Sequence, residues 1–188
     1  KKNGEFIEYL VDGTKIINGN YLNGNKEGLW EYFFENGEPD MNGGFKNNLQ
    51  HGHWQFWYPN GQLYYEGDFE LGKKQGLWSF NYNDGKKWKE GEYINNNKNG
   101  VWNSWYENGN KAFNGSYKND LEDGLWQSWY ENGKLKDKGS YSMGLMSSIW
   151  EGWYPNTIKR YEGSYEGDLK IGSWKYWTDQ AILKDEES

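Results

Sequence analysis

The residues of this chain best suited to metal chemistry are two histidines one residue apart, His51 and His53. They offer two imidazole ligands, and the chain has no cysteine to complete a set, whereas a structural zinc site takes four protein ligands and a catalytic one three. Water-exposed loop histidines are the simpler reading. Glu35, Glu107 and Glu131 hold one phase in three places, each preceding an Asn-Gly pair. On alternate strands of a sheet such a column would be spaced at about 9.6 Å. That spacing suits a solvated rim, because an acid/base pair needs two carboxyl groups held in unlike environments. No nucleophile elbow, phosphate-binding loop, zinc signature or EF-hand loop is present. The chemistry on offer is binding without catalysis, and neither metal nor cofactor is expected.

Aromatic side chains are the means of that binding. Trp57, Trp105, Trp129, Trp153 and Trp177 recur in one phase, with Phe33 in the same place. Tyr64 and Trp88 share another phase, where Asp40, Ala112, Lys136 and Arg160 stand elsewhere. Residues that a repeat does not require are candidates for ligand contact. Tyr64, Trp88, Trp105, Trp129 and Trp153 are therefore the candidate binding residues, able to stack on sugar rings or to dock a protein.

The elements that must position them follow from a strict period. Trp30, Trp54, Trp78, Trp102, Trp126, Trp150 and Trp174 are spaced 24 apart without insertion, and Phe6 takes the same phase at the start. A second aromatic column lies four residues after each anchor, from Phe34 and Tyr58 to Tyr154, and a third fifteen after it, from Tyr21 and Phe45 to Tyr165. Glycines keep phase two before the anchor, seven after it and thirteen after it, as Gly28, Gly37 and Gly43 do around Trp30. The period divides the chain into about eight units: 4–27, 28–51, 52–75, 76–99, 100–123, 124–147, 148–171 and 172–183. They form a single repeat domain over 1–188, with the degenerate first unit and the polar tail as caps.

Asn36-Gly37, Asn60-Gly61, Asp84-Gly85, Asn108-Gly109 and Asn132-Gly133 between aromatic runs read as hairpin turns. As two-residue turns they require positive φ at both residues. They place Trp30 opposite Gly43 and Phe45 opposite Gly28, each ring over a residue without a side chain. The anchor and the residue three later point to opposite faces of the strand. One face is then an aromatic core and the other carries a ladder of Trp105, Trp129, Trp153 and Trp177, which either folds against its neighbours with the twist of the sheet or stands as an exposed stripe. Ser148 and Thr157 replace two of the glycines in the seventh unit, which predicts a local distortion there.

A formal net charge of −7 with one arginine, Arg160, leaves no basic stripe for nucleic acid, and the same charge argues against attachment to an anionic membrane. No apolar run approaches the ~20 residues that span a bilayer. No signal peptide is visible, yet the chain begins at Lys1 rather than methionine. Export or surface association after removal of a leader stays open.

The unit G-x-W-x-x-aromatic-aromatic-x-N-G followed by G-x-Y resembles the MORN repeat over roughly residues 4 to 180. The form is similar to a bacterial variant to which an antitoxin label is attached. The resemblance implies a non-enzymatic array of antiparallel hairpins used for scaffolding, with a protein partner or self-association. The choline- and glucan-binding repeats are also short Trp/Tyr/Gly hairpins, but their unit is shorter. The 24-residue period and the Gly-x-Tyr return strand favour MORN. The expected fold is all-β, an elongated single-layer antiparallel β-meander of tandem 24-residue hairpins. The expected function is protein–protein interaction through an aromatic sheet face; the alternative is a carbohydrate-binding module using exposed Trp and Tyr platforms.

Overall fold

A computed structural model describes residues 1–187 and is all-β, with no helix among the described residues. The chain forms two compact units, Lys1–Asn96 and Asn97–Ser188. In the first, β1 (Gly4–Tyr9), β2 (Lys15–Leu22), β3 (Asn25–Phe33), β4 (Pro39–Lys46), β5 (Leu49–Trp57), β6 (Leu63–Glu70), β7 (Lys73–Asn81) and β8 (Lys87–Ile94) form an antiparallel meander, each pairing with the next. The second begins with β9 (Asn97–Trp105) and β10 (Lys111–Lys118), followed by a strand split into β11 (Leu121–Glu122) and β12 (Gly124–Trp129). It continues through β13 (Leu135–Ser142), β14 (Leu145–Trp153), β15 (Lys159–Glu166), β16 (Leu169–Trp177) and β17 (Leu183–Glu187) in the same antiparallel order.

The predicted register holds: Trp30 pairs with Gly43 and Gly28 with Phe45, and Trp54 with Gly67 and Trp126 with Gly139 repeat it. What each glycine does differs from the expectation. A Cβ on Gly43 would run into the indole of Trp54, and one on Gly67 into that of Trp78. Within each compact unit an anchor ring thus covers the glycine on the return strand of the preceding hairpin, from Trp30 over Gly19 to Trp174 over Gly163, which makes it the seam between hairpins. Its indole N–H donates back across the seam to a backbone carbonyl ten residues earlier, as Trp54 does to Gly44 at 2.9 Å and Trp126 to Ser116 at 3.1 Å. Gly28 has nothing near its Cβ position; its φ of 71° opens a bulge in β3 instead.

The seam is the core. Trp30, Trp54, Trp78 and Trp102 are almost completely buried, with aromatic rings edge-on around them, as Phe69 is to Trp78 at 5.0 Å. Removing ~200 Å² of indole from water contributes about 5 kcal/mol at an upper bound. A Tyr hydroxyl ties successive hairpins further along: Tyr58, Tyr106, Tyr130 and Tyr154 each donate to a backbone carbonyl 23 residues on, at 2.8 to 3.0 Å. These four tyrosines of the second aromatic column are therefore clamps.

The turns are the reverse of those expected. At Asn36-Gly37 only Gly37 has positive φ, the Gly37 N–H donates to Phe34 and the Phe34 N–H donates to Glu38. This is a three-residue loop with Gly in the left-handed region, and its extra residue forces a bulge at Asp40. The two-residue turns with two positive φ values lie in the connections from one hairpin to the next. They are Asn23-Gly24, Asn47-Asn48, Leu71-Gly72, Asn95-Asn96, Asn119-Asp120, Met143-Gly144 and Gly167-Asp168. The Asn of the Asn-Gly pair serves two hairpins. Asn60 accepts from the Gln62 N–H and donates from its amide to the Asn83 carbonyl at 2.8 Å.

The distortion expected in the seventh unit is absent. Ser148 and Thr157 adopt the glycine conformation at φ 60° and 71°, and β14 runs unbroken. The break falls instead at Asp123, the last residue of the fifth repeat, whose N–H donates to the Ser116 carbonyl at 2.9 Å.

Candidate functional site

Strand alternation gives each unit two unlike faces. The anchors, the ring two residues later and the clamping tyrosines share the core face. The opposite face carries three rows that begin with the residue just before the anchor. That residue is Leu29, Leu77, Val101, Leu125 or Ile149, and each is well exposed. Across from them stand small or polar partners: Gly44 opposite Leu29, Ser116 opposite Val101, Ser140 opposite Leu125 and Ser164 opposite Ile149. The next row is polar, running through Gln127, Lys138, Glu151, Glu162 and Lys175 on successive strands. Lys159 reaches into it, donating to Glu151 at 2.8 Å and Glu162 at 2.6 Å. Burial alone would lower the Lys159 pKa, but these two carboxylates outweigh it and raise it. An open groove of about 580 Å³ lies over this part of the second unit, lined by Leu125, Ile149, Ser140, Ser164, Lys138 and Glu162 among others.

The third row of this face holds the predicted tryptophans. Trp105 lies on β9, Trp129 on β12 and Trp153 on β14, all in the second unit and in one phase. None is among the exposed hydrophobic residues; all are half-buried. Lys111 stands over Trp129 at 5.6 Å and Lys159 over Trp153 at 5.9 Å. Stacking of sugar rings needs bare indole faces, and these are partly covered.

Tyr64 and Trp88 belong to the first unit and occupy the bulge that each three-residue loop creates. A bulge re-aims its side chain. Tyr64 lies 4.5 Å from Tyr58, and Trp88 lies 6.0 Å from Tyr82 with the Lys89 ammonium over it at 4.0 Å. In the second unit the same position puts Lys136 over Tyr130 and Arg160 over Tyr154. Bulge residues thus cover the tyrosine that lies four residues after the anchor in their own hairpin. The candidates therefore fall into two structurally separate groups, Tyr64 with Trp88 and Trp105 with Trp129 and Trp153. The aliphatic row was missed, although its signal is in the sequence as a Leu, Val or Ile just before five of the seven tryptophans.

His53 takes the place of that aliphatic residue in its repeat. Its Nδ1 is 2.9 Å from Asp68 and its Nε2 3.3 Å from Glu66. Burial lowers its pKa, and the two carboxylates outweigh burial, so the net direction is upward. It bonds these two carboxylates and, when protonated, forms an ion pair with them. Among the described residues no group of three or more His, Asp or Glu is placed to hold a metal ion. No described helix is long and apolar enough to cross a membrane.

The family described as MORN repeat variant matches residues 26–47, 50–70, 74–95, 98–119 and 122–143, together more than half of the chain. No curated protein matches the chain.

Proposed function

Since the chain belongs to the MORN repeat variant family, a non-catalytic repeat family, we propose that it is a scaffold that holds a protein partner on the sheet face opposite its anchor tryptophans. The observation that carries this reading is the aliphatic row of the second unit. Val101, Leu125 and Ile149 are 56%, 51% and 65% exposed, in one phase, each with a serine across from it. Exposed apolar residues scattered singly are ordinary, but an aligned series beside a groove is what a docking surface requires. The flanking Lys138, Glu151 and Glu162 supply the polar rim that fixes register. Antitoxin-like or surface interaction would each be one form of this scaffold role.

The test is affinity capture from the source cell's lysate and envelope fraction with the intact chain, beside a Leu125→Ser/Ile149→Ser variant and a Trp88→Ala variant, all shown to be folded. A protein retained by the intact chain and by Trp88→Ala, and lost with the double serine variant, supports the reading. Retention unchanged by the serines removes this face from the proposal. Elution of everything by soluble oligosaccharide replaces it with the carbohydrate reading.

A further inference from the structure

On the core face, five of the eight anchor positions have a lysine four residues earlier: Lys2, Lys26, Lys74, Lys98 and Lys170. Each lysine places its ammonium over the anchor. Lys26 Nζ lies 4.3 Å from the Trp30 ring and 5.0 Å from Phe45, and donates to the Tyr32 hydroxyl at 2.6 Å. Lys74 is 4.4 Å from Trp78 and 5.0 Å from Tyr93, and Lys170 is 4.8 Å from Trp174. The aromatic corner made by an anchor and its neighbouring ring is thus an ammonium seat, and these hairpins fill it themselves.

Around Trp126 and Trp150 the resident cation is gone. The lysine position holds Glu122 and Met146, and among the described residues no lysine or arginine stands over either ring. Two further phases change in the same place. Ser128 and Gly152 stand where Tyr32, Phe56 and Phe80 carry rings, which opens a cavity of about 280 Å³ between the two anchors. Asp137 stands in it, accepting from the Tyr161 hydroxyl at 2.8 Å and the Ser128 hydroxyl at 3.1 Å, with Lys136 Nζ 3.9 Å away. The absence of a side chain on Gly152 lets the Tyr161 ring lie against the backbone and reach that carboxylate. Burial, and then the neighbouring Asp137, push the Tyr161 phenol well above its ordinary pKa, so it stays a donor. Trp126 is the one tryptophan anchor that is half-buried, and it lies edge-on to Tyr141 at 5.7 Å. A vacated cation seat with a carboxylate at its base is an arrangement that other hairpins of this chain do not have.

We propose that the cavity between Trp126 and Trp150 is a receptor for an alkylammonium group, with Asp137 as counter-charge and the Trp126, Tyr141 and Trp150 rings as walls. The site acts on a single small cation and does not depend on the protein-docking face. The net charge of −7 favours the approach of such a ligand.

The test is titration of the full chain with tetramethylammonium chloride and, separately, with Nα-acetyl-lysine methylamide, followed by NMR of the indole N–H signals. Sodium chloride at equal ionic strength and the Nε-acetylated lysine compound are the controls. Expected are saturable shifts at Trp126 and Trp150 and none at Trp78. Asp137→Asn weakens binding roughly tenfold or more. Glu122→Lys, which restores the resident cation, abolishes it while the other indole signals stay in place. A stronger response to the lysine compound identifies a protein side chain as the source, and a stronger response to tetramethylammonium a small quaternary amine. No saturable shift with either cation, an equal response to the acetylated control, or unchanged affinity in both folded variants overturns the proposal.

Discussion

The hairpins around Trp78 and Trp126 share a strand register and, among the phases that surround the anchor on the core face, differ at three. Trp78 pairs with Gly91 and Phe80 with Lys89; Trp126 pairs with Gly139 and Ser128 with Asp137. Around Trp78, Lys74 covers the indole, Phe80 is buried at its side and Trp78 is sealed. Lys74 is desolvated enough there for burial to lower its pKa. Around Trp126 the same phases hold Glu122, Ser128 and Asp137, and the ring is partly open. The comparison separates residues that join hairpins from residues that are free to change. Anchor, return-strand glycine and clamping tyrosine join neighbouring hairpins; the lysine phase and the phases of Ser128 and Asp137 vary around that seam. Function is expected in the second set.

The largest effect that sharpens this contrast is loss of an anchor. Trp78→Ala should destabilise by about 4 kcal/mol in denaturant unfolding. Trp126→Ala should cost clearly less, because less of its ring leaves water on folding; equal costs would erase the difference between the two hairpins. Next is Thr157, a β-branched residue held at φ 71° where other hairpins have glycine. Thr157→Gly should raise stability by about 1 kcal/mol, read as a higher unfolding midpoint. Leu71 is the first residue of a two-residue turn at φ 47°. Leu71→Asn should gain roughly 0.5 kcal/mol by the same measurement, since Asn tolerates that region. The smallest effect is electrostatic. The folded-state pKa of His53 is raised, so its ion pairs stabilise fully below its unfolded value of about 6.5 and are lost as pH rises through the folded value. His53→Leu, which installs the residue type of neighbouring hairpins, should flatten the decline in unfolding midpoint across that window.

Much of the fold is legible in the sequence because the anchor and glycine columns never lose phase. Trp30 opposite Gly43 follows from the spacing alone. The loop types are not legible in the same way. Asn-Gly looks like a two-residue turn, yet Asn36 keeps negative φ and uses its side chain to bond the next hairpin. The true two-residue turns carry variable pairs such as Leu71-Gly72 and Gly167-Asp168, which no column announces. Ser148 and Thr157 look like breaks, and the neighbouring pairing holds them in glycine's conformation. On the candidate site, attention to ring size led to Trp105, Trp129 and Trp153. The more exposed row is aliphatic, because the indoles lie against their neighbours while Leu125 and Ile149 have only serines across from them.

The division of labour between the two faces is tested most directly by equilibrium unfolding of two variants of the second unit, Gly139→Ala and Leu125→Ser/Ile149→Ser. A Cβ at Gly139 meets the Trp150 indole, so the alanine should cost about 3 kcal/mol. The double serine change should leave the midpoint within error of the parent. Serines that cost as much as the alanine would place Leu125 and Ile149 in the core and contradict a face kept free for a partner.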